Sequence, residues 1–301
     1  MYDQVAQNRR RSLLLVTVFV VFTVLTLIAV AYAFGLGAPG IGLAVVIGSI
    51  GSFVSYWKSD AIALRTSRAR PADEREYARL HNLVEGLCIA SGVPKPRLYV
   101  VDDEAPNAFA TGRNPEHAAI AVTTGLLSKM NRVELEGVLA HELSHIKNYD
   151  ILVSTLCVTM VGVLALLMDL SWRFAWLSGH RRRSDNNGPG AGAILAIVGI
   201  LLVIFGPLVA RLMHFAVSRK REALADLSGV EMTRYPPGLI SALEKLQADT
   251  TVVRSGSRAT AHMWIEDPMA QRPEEGNWAK LNKMFNTHPP LSDRIAALRE
   301  L

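Results

Sequence analysis

A long uncharged run near the start of the chain limits what this sequence can fold into. Residues 13–34 contain no Asp, Glu, Lys or Arg, and about 22 apolar residues are enough to cross a lipid bilayer as a helix. Three more apolar blocks follow, over residues 41–57, 151–168 and 191–210. The composition agrees, because 50% of the residues are hydrophobic and 20% are charged, against about 25% charged residues in ordinary soluble domains. We therefore predict a membrane protein with about four transmembrane helices.

Basic residues around the first two blocks predict their orientation. Three arginines at 9–11 precede the first block and four basic residues within 58–70 follow the second, whereas the Gly/Pro turn over residues 35–40 is uncharged. By the positive-inside rule, both ends of this hairpin lie in the cytoplasm. The loop over residues 169–190 carries four arginines, which oppose translocation. Either the third and fourth blocks are imperfect spans, or their packing against the first hairpin overrides the rule.

The polar remainder of the chain predicts a small domain that mixes helices and strands. Apolar periodicity and turn residues place the elements. The predicted helices cover residues 71–92, 131–149, 219–233, 237–248 and 291–300, and the predicted strands cover 97–101, 107–111 and 118–123. Asn131 and Glu134 predict a capping box at the start of the second helix, which we expect to continue unbroken into the third apolar block. The fold class is thus an α+β membrane protein, mostly helical, with a small β-sheet.

One short motif indicates the chemistry, and it reads His141-Glu142-Leu143-Ser144-His145. Residues four apart on a helix share a face, so both imidazoles can bind the same cation. Glu142 is turned about 100° around the helix axis from His141 and can act on a water molecule bound to that cation. Zinc lowers the pKa of such a water to about 7. The motif on a predicted helix is typical of zinc-dependent peptide hydrolysis.

A catalytic zinc ion needs a third protein ligand beside the two histidines. The solution that uses a glycine and a third histidine is excluded, because Asn148 and Ile151 stand at those positions. Glu222 and Asp226 lie four apart on a later predicted helix. We predict that Glu222 binds the metal and that Asp226 accepts the second N–H of a ligating histidine. His214 shares the face of Glu222 and remains an alternative ligand nearer the bilayer.

The sequence around this motif resembles a known family. Residues 138–148 are similar to the HtpX-like membrane zinc metalloproteases, which are relatives of the CAAX prenyl proteases. The resemblance continues through residues 107–112, 221–226 and 287–294. It includes the paired N-terminal spans and the hydrophobic insertion between the two zinc helices, so it covers nearly the whole chain. It implies a zincin-type metalloprotease domain with one Zn²⁺ per subunit.

The resemblance also implies roles that spacing does not give. The segment Asn107-Ala108-Phe109-Ala110 would be an edge strand that pairs with the substrate backbone. His288 would donate a hydrogen bond to the developing oxyanion, and Arg294 would help to hold His288 or the substrate. From the residues alone, the segment also fits a core strand, His288 a loop residue and Arg294 a solvated helix residue.

The predicted domain organisation places the two apolar hairpins around a divided protease domain. Residues 1–60 form the N-terminal transmembrane hairpin and residues 61–150 the first part of the protease domain, with the edge strand and the zinc motif. Residues 151–213 form the second hydrophobic hairpin, transmembrane or membrane-embedded. Residues 214–301 form the second part of the protease domain, with the third ligand and the C-terminal helices.

The function that follows is a membrane-anchored zinc endopeptidase acting at the cytoplasmic face of the bacterial inner membrane. The resemblance implies quality control of misfolded or damaged membrane proteins, so the partners are protein or peptide substrates and the lipid bilayer. A prenyl-protein protease of the CAAX type is an alternative, but it needs a lipid-accepting chamber that four spans are too few to enclose. A non-catalytic zinc-binding scaffold would not need Glu142. The net charge of +5 does not indicate nucleic acid binding, because the arginines mostly flank apolar blocks.

Overall fold

A computed structural model describes residues 16–28, 31, 37–158, 219–254, 260, 263–265 and 289–301. In chain order the elements are α1 (Val16–Ile28), α2 (Gly37–Trp57), α3 (Ser59–Thr66), β1 (Arg70–Pro71), α4 (Ala78–Ser91), β2 (Arg97–Val101), β3 (Ala108–Gly112), β4 (Ala118–Thr123), α5 (Thr124–Lys129), α6 (Arg132–Lys147), α7 (residues 150–158), α8 (Arg219–Thr233), α9 (Pro236–Ala248) and α10 (Leu291–Arg299). The fold is rich in helices and has one small sheet among these residues, as predicted. The short helices α3 and α5 have no counterpart in the sequence prediction.

Helix α2 is the best candidate for a membrane span. Its stretch Gly37–Val54 has a mean hydropathy of 1.7 and only 17% of it is buried. Among the described residues it alone is both long and apolar enough to cross a bilayer, whereas we predicted four such helices. The third and fourth apolar blocks lie outside the described residues apart from residues 151–158. Helix α2 also begins earlier than predicted, because Pro39 fits the first helical turn, where its missing N–H costs nothing.

The sheet has the strand order β1-β2-β4-β3. β2 and β4 pair in parallel, while β1 and β3 pair antiparallel to their neighbours. The predicted helix over residues 71–92 starts later than expected, at Ala78. Pro71 instead pairs with Tyr99 in the edge strand β1, a position that tolerates proline. The Asp73 side chain then accepts the backbone N–H of Arg75 at 2.9 Å, which forms a turn before the helix.

Helix α6 begins with the capping box that the sequence predicts. The Asn131 side chain accepts the Glu134 backbone N–H at 3.0 Å, and the Glu134 carboxylate accepts the Asn131 backbone N–H at 2.8 Å. Losing such a cap typically costs about 1 kcal/mol. The same carboxylate accepts hydrogen bonds from Ser241 and Lys245, both at 2.7 Å. The start of α6 is therefore tied to α9.

The predicted continuous helix from the zinc motif into the third apolar block is wrong. Helix α6 ends at Lys147, and Tyr149 adopts a left-handed backbone with φ of 61°. Such a residue commonly closes a helix, because its N–H turns back to a carbonyl of the last turn, here that of Ile146 at 3.1 Å. A separate helix, α7, then starts at residue 150. The chain therefore changes direction immediately after the zinc motif.

Two glycines allow α6 to pack closely against α8 and α9. A Cβ at Gly229 on α8 would lie 3.1 Å from the backbone nitrogen of His141, and one at Gly137 on α6 would lie 2.8 Å from that of Leu239. At either distance, a Cβ would force the neighbouring backbone atoms to shift. The main core also joins both parts of the chain, since it contains residues from 72–151 and from 239–298. This packing brings α8 alongside the zinc motif.

Candidate metal site

The structure brings three predicted metal ligands together. The Nε2 atoms of His141 and His145 lie 3.1 Å apart, and each is 3.6 Å from a carboxylate oxygen of Glu222. One ligand atom from each residue falls within 4.8 Å of the other two. Ligand atoms around a tetrahedral ion with bonds near 2 Å are separated by about 3.3 Å. The donor set and its spacing therefore fit a tetrahedral metal ion.

A buried ion pair lies behind His141. Its Nδ1 is 2.8 Å from a carboxylate oxygen of Asp226, the predicted partner of a ligating histidine. Asp226 is held in turn by Arg294, whose Nη2 and Nε donate to the two carboxylate oxygens at 2.6 and 2.9 Å. Burial raises the pKa of Asp226, but the charges of Arg294 and His141 outweigh it and hold the pKa below its ordinary value. Asp226 therefore remains an ionised acceptor.

Arg294 contacts groups of the candidate metal site. It is only 4% exposed, which excludes a solvated surface arginine. Besides Asp226, its Nη1 lies 3.6 Å from Glu222. His288, the partner that the resemblance implies for Arg294, lies outside the described residues, so that role stays a prediction. His214 lies outside them as well. The described contacts of Arg294 thus hold carboxylates that surround the histidines.

Glu142 is buried next to the three candidate ligands. Its exposure is 2%, and burial raises its pKa above the ordinary value, although the charges of His141 and His145 oppose this shift. A carboxylate with a raised pKa both accepts and returns a proton more readily near neutral pH. The position and environment of Glu142 therefore suit a general base.

Comparison with known families now identifies the chain. The model of Peptidase family M48 matches residues 74–301. The chain belongs to peptidase family M48. The resemblance predicted from the sequence is thereby confirmed, and the chain is a metallopeptidase.

Curated relatives of this M48 chain match it over its whole length. A protein named "Protease HtpX homolog" from Caldanaerobacter subterraneus subsp. tengcongensis is 43% identical, with 100% of this chain and 98% of the relative covered. A protein of the same name from Ligilactobacillus salivarius is 39% identical, with 100% of both chains covered. A solved structure, that of S. mikatae Ste24p, has 17% identity and a TM-score of 0.49, and the match covers 99% of this chain and 67% of that one.

The predicted substrate-binding segment of this M48 chain lies at an edge of the sheet. β3 is the terminal strand next to β4, and it begins at Ala108 rather than at residue 107. Asn107 precedes it and is fully buried, with its side-chain oxygen accepting the N–H of Ala108 at 3.0 Å. Phe109 and Ala110 follow within the strand and are buried as well.

The outer edge of β3 is already contacted by the chain itself. The N–H of Ile265 donates to the Ala108 carbonyl at 2.9 Å, and Trp264 forms a β-bridge with Phe109. The two aromatic rings stack edge to face with centroids 4.7 Å apart. An incoming strand would therefore meet residues 263–265 at this edge.

Sequence reasoning missed one acidic residue at this site. Asp150 lies 3.3 Å from Nδ1 of His145, but it follows the break at Tyr149, which helical periodicity does not anticipate.

Sequence reasoning also missed Gly229. It stands three residues after Asp226 and seven after Glu222, on the same face of α8. A glycine on the face of α8 that carries Glu222 and Asp226 could have indicated the close approach of α8 to α6.

Proposed function

We propose that this M48 chain is a membrane-anchored, zinc-dependent endopeptidase that cleaves misfolded or damaged membrane proteins at the cytoplasmic membrane face. The observation that carries the proposal is the cluster of His141, His145 and Glu222 with Glu142 buried beside it. Two imidazoles and a carboxylate form the ligand set of catalytic zinc sites that keep a fourth position open. One Zn²⁺ per chain fits this cluster.

The residues of the chain divide the hydrolytic work between them. Zinc, when bound, acts as a Lewis acid toward the peptide carbonyl and acidifies water. Glu142 takes the proton of the attacking water on its carboxylate and passes it to the nitrogen of the leaving amine. Asp226 holds His141 in the orientation for binding, and Arg294 neutralises Asp226. We assign His288 to donate a hydrogen bond to the developing oxyanion.

Metal removal and restoration test this function directly. The purified full chain in detergent should cleave an unfolded membrane protein, lose this activity on treatment with a zinc chelator, and regain it with stoichiometric Zn²⁺. Cleavage that persists after measured removal of the metal would contradict the proposal. Cleavage of a prenylated C-terminal tripeptide, without action on the unfolded protein, would favour the CAAX-type alternative. Zinc binding without any cleavage would favour the scaffold.

We further propose that four helices span the membrane and that the polar parts face the cytoplasm, with the domain boundaries predicted above. The exposed apolar surface of α2, which includes Leu43, Ile50 and Phe53, supports a position in lipid. A cysteine placed in the arginine-rich loop at residue 184 should react in intact cells with a membrane-impermeant reagent. A cysteine replacing Glu300 should react only after permeabilisation, and the native Cys88 and Cys157 are buried. Protection of the loop cysteine in intact cells would contradict full spanning by the second hairpin.

We also propose that substrates bind by adding a strand to the outer edge of β3. Residues 263–265 must then give up their contacts with Ala108 and Phe109. Main-chain hydrogen bonds then provide affinity for many sequences. N-methylation of one backbone amide in a peptide substrate should lower kcat/KM by about 2- to 10-fold, the value of one lost hydrogen bond. Methylation of the adjacent amide should have little effect, because alternate amides of a strand face opposite edges. Equal effects at consecutive amides would contradict strand addition.

A further inference from the structure

The two ring nitrogens of His145 face different groups. Its Nε2 points to the candidate metal position, where it lies 3.1 Å from Nε2 of His141. Its Nδ1 lies 3.3 Å from a carboxylate oxygen of Asp150. Asp150 is only 3% exposed. The carboxylate therefore meets His145 on the side away from the metal position, within the protein interior.

The pairing of His145 with Asp150 repeats the pairing found at His141. Asp226 lies 2.8 Å from Nδ1 of His141, so each histidine has its own buried carboxylate on the same ring nitrogen. A carboxylate at Nδ1 favours the tautomer with the proton on that atom, and it leaves the lone pair on Nε2 available for a metal. It also restrains rotation of the ring.

We propose that Asp150 is a positioning residue of the metal site: it accepts the Nδ1–H of His145 and orients Nε2 toward the metal. This inference rests on the proposed function, since it assigns a partner to one of the zinc ligands. It adds a residue outside the motifs from which the ligand set was predicted. Asp150 acts through His145 and does not itself contact the substrate.

The break between α6 and α7 is what brings Asp150 to His145. Five residues along an uninterrupted helix would place the two side chains about 140° apart around the axis. The left-handed backbone of Tyr149 redirects the chain, and Asp150 becomes the first residue of α7. The site therefore depends on a backbone feature that also sets the direction in which the third apolar block leaves it.

Arg221 completes the environment of Asp150. Its Nη1 lies 3.6 Å from the second carboxylate oxygen of Asp150, and it precedes the candidate ligand Glu222 in the chain. A buried carboxylate is costly unless it is paired, and this cation supplies a partner for Asp150 beside His145. Asp150 and Arg221 flank the undescribed hydrophobic segment of residues 159–218. The ion pair thus joins α7 and α8, the helices on either side of this segment, next to a metal ligand.

A purely structural role for Asp150 makes a different prediction from a positioning role. If Asp150 only pairs with Arg221, its loss should lower the stability of the protein and leave the affinity for zinc unchanged. If it orients His145, its loss should weaken metal binding by about 10- to 100-fold, as is typical for groups that hold metal ligands. Measurements of both quantities separate the two roles.

The experiment compares Asp150→Ala and Asp150→Asn with the wild type, using the full chain purified in detergent. Zinc affinity is measured by competition with a chromogenic chelator, and the geometry of the site is followed by the visible spectrum of the Co²⁺-substituted protein. Asp103→Asn is the matched control, because Asp103 is a buried carboxylate that accepts backbone N–H groups of Ala105 and Arg254. Thermal unfolding of the metal-free proteins shows that each variant is folded.

We expect Asp150→Ala to bind zinc about 10- to 100-fold more weakly and to change the Co²⁺ spectrum. Asp150→Asn should lose less zinc affinity than Asp150→Ala, because its side-chain oxygen still accepts the Nδ1–H of His145. Asp103→Asn should bind zinc like the wild type. A folded Asp150→Ala protein with wild-type affinity and spectrum would overturn the inference, as would an equal loss in Asp103→Asn. If the wild type binds zinc and cleaves its substrate, either of these outcomes would contradict only the role of Asp150 and not the proposed function. A wild type that binds no zinc would contradict both.

Discussion

Replacing Glu142 with Gln is expected to lower kcat for peptide hydrolysis by about 10²- to 10⁴-fold, the range for loss of a general base. The amide has nearly the same shape as the carboxylate, but it cannot take a proton from water at neutral pH. Zinc content should stay at one ion per chain, because the three ligand atoms belong to other residues. The measurement is single-turnover cleavage of an unfolded membrane protein, with zinc determined on the same samples.

Glu136→Gln provides the matched control for this variant. Glu136 lies on the same helix, two residues after the capping residue Glu134, and it is outside the ligand cluster. We expect it to retain wild-type cleavage. Equal cleavage by wild type and Glu142→Gln would remove Glu142 from the mechanism, whatever the zinc content. Loss of zinc in Glu142→Gln would instead indicate that the substitution disturbs the site as a whole.

Glu222→Ala is expected to abolish stoichiometric zinc binding, with an affinity loss on the order of 100-fold or more. That exceeds the typical loss for groups that only support a ligand, because one of three protein ligands is removed. Cleavage should fall in parallel. Zinc bound per chain after gel filtration, together with a competition titration, provides the measurement.

Glu231→Ala is the control for the Glu222 variant. It makes the same chemical change on α8 at a solvent-exposed position, so zinc binding and cleavage should remain at wild-type levels. Unchanged zinc stoichiometry in Glu222→Ala would show that another group completes the site. His214 would then be the first residue to replace.

Features governed by neighbouring residues were predictable from the sequence. The capping box at Asn131 and Glu134 appears as expected, because both hydrogen bonds join residues three apart. The helical spacing of His141 and His145 likewise follows from one turn of helix. Strands β2 and β4 lie where β-branched and apolar residues follow turn signals. In each of these cases the interacting groups are close in the chain.

Features that depend on the direction of the chain were less predictable. We expected an unbroken helix after His145, but the left-handed Tyr149 ends it, and a tyrosine carries no sequence signal for that conformation. The place of Asp150 beside His145 was missed for the same reason. The contact of Ile265 with Ala108 joins residues far apart in a segment without periodicity, so no local pattern indicates it.

The sequence by itself determined the chemistry that this chain carries: an i, i+4 pair of histidines with an adjacent glutamate, a later Glu and Asp four apart, and enough apolar residues for a membrane. These follow from residue type and helical geometry alone. Only the tertiary structure decided how the pieces meet. Gly229 admits α8 to the backbone at His141, Arg294 is buried against Asp226, and Asp150 lies beside His145. Such contacts depend on packing between elements distant in the chain or separated by a break, and local sequence patterns do not encode them.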